Sequence, residues 1–270
     1  KQQTNQMSQL ISNGKVTEDS DGIKHNAAPS EVANRLFGIN MWANENDVDM
    51  AIHVHFNDNP RRKTSQPGKY SGFTIYVPER QYSNSASTKA IADAVFDRLS
   101  KYFPVSDMPK ESGGVVEEQN LIAIGSRNTL DAPSMLIEYG YIYEPGFQDP
   151  AIKAAMIKDL AYETYLGVED FMDKSHAYPS RYDVATLPYA WNSSLNKNSD
   201  DSVDIYALQV ALSHADAYPP AGKTRNDCPL SGTFGPCTET AVEAFQAKNG
   251  IEQTGSVGPK TLQVLNETFK

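Results

Sequence analysis

The run Met50-Ala-Ile-His53-Val-His55-Phe-Asn57-Asp58 decides how this chain is read. Apolar and polar positions alternate through it. Met50, Ile52, Val54 and Phe56 share one face of an extended chain, and Ala51, His53, His55 and Asn57 share the other. The whole sequence has five histidines, and two of them stand here, pointing the same way. Imidazole is a common zinc ligand and titrates near neutral pH. The run reads as a metal or acid–base site at the end of a buried strand, or as a strand with a solvated polar face. The pattern alone leaves both open.

Outward from the strand, helices and short apolar runs alternate. Upstream, Ser30 is a good N-cap for a helix whose apolar spacing runs through Val32, Leu36, Ile39 and Trp42. Downstream, Gly72-Phe-Thr-Ile-Tyr-Val77 reads as a second strand. Ser87 opens a helix with Ile91, Val95, Phe96 and Leu99 on its stripe. Leu121–Ile124 and Ser134–Glu138 read as further strands, and a long helix runs from Asp149 or Pro150 to about Asp173. This order indicates an α/β layer fold. Residues 1–28 are polar and irregular. Residues 178–202 are linker-like, with Trp191 in a position to pack between domains. The expected organisation is a domain over 1–177, a linker over 178–202 and a second domain over 203–270.

The last segment repeats itself. Gly232-Thr-Phe-Gly235-Pro236-Cys-Thr238 recurs as Gly255-Ser-Val-Gly258-Pro259-Lys-Thr261, each copy followed by helical spacing. The glycines allow a tight turn, and a proline at the first helical position has no N–H to leave unpaired. With a helix over Val203–Leu212, this predicts a small all-α unit of three helices. Cys228 and Cys237 lie in turn-like sequence inside it. A local disulfide fits, and with it an oxidising, exported location; two reduced thiols are the alternative.

The formal net charge of −10 argues against nucleic acid and against an anionic membrane surface as partners. No apolar run reaches the roughly 18–20 residues of a membrane-inserted helix.

Two resemblances add to this. Leu208-Gln209, Gly232–Thr238, Ala241-Val242, Phe245-Gln246 and Gly255–Thr261 resemble the type 1 peptidoglycan-binding domain. The front part resembles the zinc-dependent N-acetylmuramoyl-L-alanine amidases of the amidase-3 family. Asp49–His55 is similar to that family's strand ending in Ser-Ile-His-x-Asn. Ser71-Gly72-Phe-Thr-Ile-Tyr76 is similar to its Ser-Gly-x-x-x-Tyr, and Leu136-Ile137-Glu138-Tyr-Gly140-Tyr141 to its Leu-Val-Glu-x-Gly-Phe. The resemblance implies a mixed sheet flanked by helices, with the all-α unit after it.

It also implies a reaction, namely hydrolysis of the amide between N-acetylmuramic acid and L-alanine in peptidoglycan, with zinc as cofactor. His53 is the implied zinc ligand and Glu138 the implied catalytic carboxylate, outside the cell proper: periplasm, envelope or beyond. His55 departs from the family's Asn; it can contact substrate, stabilise the oxyanion, add a metal contact or face solvent. The family's other two ligands, a His and a Glu, belong to an opening strand and helix that residues 1–28 do not match. His25 lacks the flanking glycines of that motif. The expectation is that the chain begins part-way through the catalytic domain. A protein that binds wall without hydrolysing it, and another zinc-dependent wall peptidase, are the competing readings.

Overall fold

The computed structural model describes residues 30–58, 68–118, 121, 124, 132–172 and 184–270, with the backbone alone at 30–35 and 37. Residues 1–29, His25 among them, and positions 173–183, the last of the expected first domain and the start of the expected 178–202 linker, lie outside them. Four strands form one mixed sheet: β1 (Ala51–Asn57), β2 (Thr74–Val77), β3 (Val115–Glu117) and β4 (Ser134–Tyr141), in the order β1-β4-β2-β3. Helix α1 (Ser30–Glu45) precedes β1. Helix α2 (Ser85–Tyr102) joins β2 to β3, and α3 (Pro145–Gln148) and α4 (Pro150–Met172) follow β4. The C-terminal helices are α5 (Ser202–His214), α6 (Pro236–Lys248) and α7 (Pro259–Phe269). By their contacts the described residues divide into two units. One gathers those within Lys1–Phe56, Thr74–Asp93 and Pro109–Tyr139, the other those within Asn57–Phe73, Ala94–Met108 and Gly140–Lys270.

In the first unit, β2 pairs antiparallel with β4 (Thr74 opposite Glu138, Tyr76 opposite Leu136) and parallel with β3 (Ile75 opposite Val115). Central strands buried on both faces need continuous apolar runs, and β2 is buried at all four positions. Three expectations change here. Leu121 and Ile124 are in no strand, and positions 122–123 lie outside the described residues. The third strand of the sheet is instead Val115–Glu117, and Ile124 closes the core over Tyr76 and Leu136. Strand β1 is not buried but lies at the sheet edge, and Val54 on its apolar face is 53% exposed. On α1 the inward residues are Asn40 and Ala43, while Ile39 and Trp42 are exposed. The buried stripe is rotated by one residue, about 100° of helix, from the one the large side chains suggest.

In the second unit, α4 lies against the later part of α2. Gly167 allows the approach, since a Cβ there would come within 2.4 Å of the Val95 Cα. Arg98, nearly buried, forks onto the Asp170 carboxylate with its Nη2 at 2.9 Å from Oδ1. Gly167→Ala is expected to cost about 1–3 kcal/mol by overpacking a backbone contact, read as a lower urea midpoint with an unchanged slope.

The C-terminal helices carry an internal symmetry. Gln209 on α5 accepts from the N–H groups of Ser231 and Gly232 (2.9 and 3.0 Å) and donates to Thr233 O and Thr238 Oγ1 (3.1 and 2.9 Å). Gln246 on α6 does the same one repeat later. It accepts from Thr254 and Gly255 N–H (2.8 and 3.1 Å) and donates to Ser256 O and Thr261 Oγ1 (2.8 and 2.9 Å). Each repeated turn is therefore stapled by one buried glutamine from the preceding helix. Gly235 and Gly258 cap α6 and α7, each with Pro next. A disulfide joins Cys228, in the turn region before α6, to Cys237 in the first turn of α6.

Trp191 is almost fully buried. Its indole N–H donates to Asp204 O, and its backbone N and O pair with the amide of Asn266 on α7. No helix among the described residues is long and apolar enough to cross a membrane.

Candidate active site

Glu138 sits on β4 directly opposite Thr74, in the first unit. Strand alternation sends Glu138 and Leu136 to the same face as Thr74 and Tyr76. Tyr76 and Leu136 on that face are buried together with Ile124, and desolvation disfavours a carboxylate beside them. Burial, and after it the charge of Glu111, push the Glu138 carboxyl up to about 7. Its Oε2 is buried with no hydrogen-bond partner. Glu111 is itself buried (1% exposed) and accepts from the hydroxyl of Tyr76. The tyrosine of the Ser-Gly-x-x-x-Tyr stretch thus holds the carboxylate that loads Glu138.

The two histidines stand on the neighbouring strand. The Ala51 N–H donates to Pro133 O at 2.8 Å. The Ile142 N–H donates to Asn57 O at 3.0 Å, so numbering rises together on β1 and β4 and the pair is parallel. In a parallel ladder the first bond sets Ala51 opposite Ser134. Continued as far as the edge-to-face contact of Phe56 with Tyr139, this register would bring His53 opposite Leu136 and His55 opposite Glu138, on the face that carries Glu138. The Asn57–Ile142 bond, which sets Asn57 opposite Tyr141, marks a one-residue slip beyond Tyr139. Burial, then the neighbouring His55, hold His53 down at about 4. Burial lowers His55 as well. At neutral pH His53 is therefore an uncharged imidazole, and its buried Nε2 has no hydrogen-bond partner.

An orphaned, neutral imidazole nitrogen in a dry setting is what a zinc ion requires of a histidine ligand. A nearby carboxyl with a raised pKa is what proton transfer requires. His53 fits the ion as one donor. Among the described residues no group of three His, Cys, Asp or Glu side chains gathers to hold a metal.

A further carboxyl follows β4, in the second unit. Glu144 Oε1 accepts from the Tyr141 N–H (2.6 Å) and the Gly72 N–H (3.1 Å). Burial is the largest influence on it and raises it to about 7, against the pull of those two bonds. Gly72 has φ of +92°, and a Cβ there would meet the Val105 carbonyl at 2.6 Å. Glu144 thus ties the turn before β2 to the end of β4. Sequence reasoning passed over both Glu111 and Glu144. Glu111 lies in a loop with no periodicity. The signal for Glu144 was its place three residues beyond Tyr141.

Residues 15–170 match the family model of N-acetylmuramoyl-L-alanine amidases, and residues 201–265 match that of a peptidoglycan binding domain. Similar solved structures include the N-acetylmuramyl-L-alanine amidase Ami1 of Mycobacterium smegmatis (16% identity over 64% of this chain and 75% of that one, TM-score 0.40). The CwlD amidase of Clostridioides difficile, solved in complex with the GerS lipoprotein, is 14% identical over 64% and 84%, with TM-score 0.40. Ami1 of Mycobacterium abscessus is 16% identical over 63% and 76%, also with TM-score 0.40. No curated protein matches the chain.

Proposed function

That this chain belongs to the N-acetylmuramoyl-L-alanine amidase family is the premise from which we propose its chemistry: hydrolysis of the lactyl–L-alanine amide of peptidoglycan, with Glu138 as general acid–base and His53 as a zinc ligand. What supports this is a carboxyl raised to about 7 on β4 together with an orphaned neutral imidazole on the neighbouring strand β1. A zinc ion held in part by His53 would supply Lewis acidity to the amide carbonyl and acidify a water.

The protein's own groups do the rest. Glu138, as carboxylate, accepts the proton of the attacking water. As the tetrahedral centre collapses it returns that proton to the departing nitrogen, which would otherwise leave as an unstable amide anion. A resting pKa of about 7 suits both halves of that cycle. Glu111, fixed by Tyr76, keeps the value high. His55, on the strand next to Glu138, would donate or accept on the substrate side. The peptidoglycan-binding segment holds the enzyme on an insoluble polymer, which raises local substrate concentration without altering the chemistry. A wall substrate and the Cys228–Cys237 disulfide support an exported protein.

The test is release of new L-alanine amino termini from purified wall, with mass spectrometry identifying the bond cut. Cleavage between peptide residues would favour a peptidase instead. Binding to wall without any cleavage would favour the binding-only reading. His53→Ala is expected to weaken zinc retention beyond the roughly 10–100-fold that loss of an outer-shell partner costs. Chelator competition measures this, and unchanged affinity would remove His53 from the metal site.

A further inference from the structure

On a protein of net charge −10, two adjoining hollows in the second unit form a groove that carries three Lys or Arg side chains and a single acid among its lining residues. Its larger part is a cavity of about 590 Å³ walled by Lys101 and Tyr102 at the end of α2, His214 and Asp216 at the end of α5, and Tyr218 and Arg225 beyond. A hollow of about 260 Å³ shares His214 and adds Lys248, Asn249 and Phe269. Lys101 at the end of α2, Arg225 in the loop after α5 and Lys248 at the end of α6 line it, the Lys248 ammonium donating one bond to Ala215 O at 3.1 Å. Asp216 is the one acid among the residues of either part.

Arg225 makes the cavity a joint structure. Its Nη2 donates to Lys101 O (2.5 Å) and Tyr218 O (3.2 Å), its Nη1 to Ser213 Oγ (3.1 Å), and its guanidinium lies over the Tyr218 ring. Beside it the Asn226 amide donates to Val105 O at 2.7 Å. The segment that matches the amidase family and the segment that matches the peptidoglycan-binding domain therefore each supply a wall.

The volume lies in the range of sites for small organic ligands, far larger than one ion needs. Cations at several points along it suit a ligand with more than one anionic group. In peptidoglycan the glycan hydroxyls and acetamides are neutral and the lactyl carboxyl is consumed in the amide. Its carboxylates belong to the peptide arms.

We propose that this groove binds the carboxylate-bearing peptide arm of peptidoglycan, with Lys101 and Lys248 as its outlying anchors. The proposal rests on the wall-polymer reading above and adds to it a place and a charge requirement. Bound there, a neighbouring peptide arm would hold the chain on the wall through both matched segments at once.

Calorimetric titration of the full 270-residue chain with a synthetic stem tetrapeptide tests this, alongside the same peptide with its carboxylates amidated. A dissociation constant of about 1 mM or tighter is expected for the free acid. The amidated peptide, and the Lys101→Glu/Lys248→Glu double variant checked for folding by circular dichroism, should each bind at least about tenfold more weakly, equivalent to roughly 1.4 kcal/mol. Equal binding in either comparison, or no saturable binding by the unaltered chain, overturns the proposal. So does equal competition by poly(glycerol phosphate), which would mark a general anion site. Wall hydrolysis is scored separately. Its failure with peptide binding intact counts against the amidase chemistry and leaves the groove standing.

Discussion

Glu138→Gln is expected to lower amide hydrolysis by about 10²–10⁴-fold, the contribution typical of a positioned acid–base group, while the protein stays folded. Gln keeps the shape of the side chain but cannot carry a proton between water and leaving nitrogen. The same substitution should stabilise the fold at alkaline pH. Glu138 is raised from 4.5 to about 7 in the folded chain, chiefly by burial. The stability it contributes is full below its unfolded pKa and is lost as pH rises through about 7. Gln lacks that liability, so the variant's advantage opens above about pH 4.5 and is complete above 7. Denaturant unfolding at pH 5 and pH 8, next to the wall assay, reads both. An inactive variant whose stability advantage is the same at both pH values would mean that burial is not what tunes this carboxyl. A variant with unimpaired hydrolysis would remove Glu138 from the chemistry. In activity, the acid limb of the rate should rise with pH as Glu138 ionises, at or below about 7, because a neighbouring metal cation favours the carboxylate.

Gln246→Leu is expected to cost about 3–5 kcal/mol. Five hydrogen bonds go, one of them to Thr254 Oγ1, and the buried Gly255 N–H is left without an acceptor. An orphaned buried group costs about 1–3 kcal/mol, and an ordinary lost bond about 0.5–1.5. Leucine is close in size, so a cavity contributes little. Against a typical total stability of 5–15 kcal/mol this is enough to melt the C-terminal helices first. Gln209→Leu should behave alike, because Gln209 makes four of the corresponding bonds around its own turn. A loss under about 1 kcal/mol in either would show the staples to be incidental. Urea titration by far-ultraviolet circular dichroism, with wall pull-down as a second readout, distinguishes these outcomes.

How far the sequence could be read follows from how local each signal was. The alternation of Met50–Asn57 is a property of neighbours, so the strand and the shared face of His53 and His55 were visible. That β1 is an edge strand was not, because edges depend on which strands pair. Leu121–Ile124 looked like a strand by apolarity, yet the sheet takes Val115–Glu117, whose β-branched pair follows the Gly113-Gly114 turn. Glu138 was legible through the motif around it. Its loading by Glu111 was hidden, since contact across 27 positions leaves no periodic trace. The two glutamines were in plain view as Leu208-Gln209 and Phe245-Gln246. A polar residue on a buried helical stripe, repeated ahead of a repeated turn, was a cue to a staple.

Those staples also set an order of assembly. Gln246 closes on its turn across 8 to 15 residues, and Gln209 across 22 to 29. Loop closure costs about 0.6 kcal/mol more for each doubling of length. Contacts close in sequence also tend to form early. The α6–α7 half should therefore act as the folding nucleus, with Gln246 nearly at its native bonding in the transition state. The α5 half, with Gln209, then condenses on a template already made.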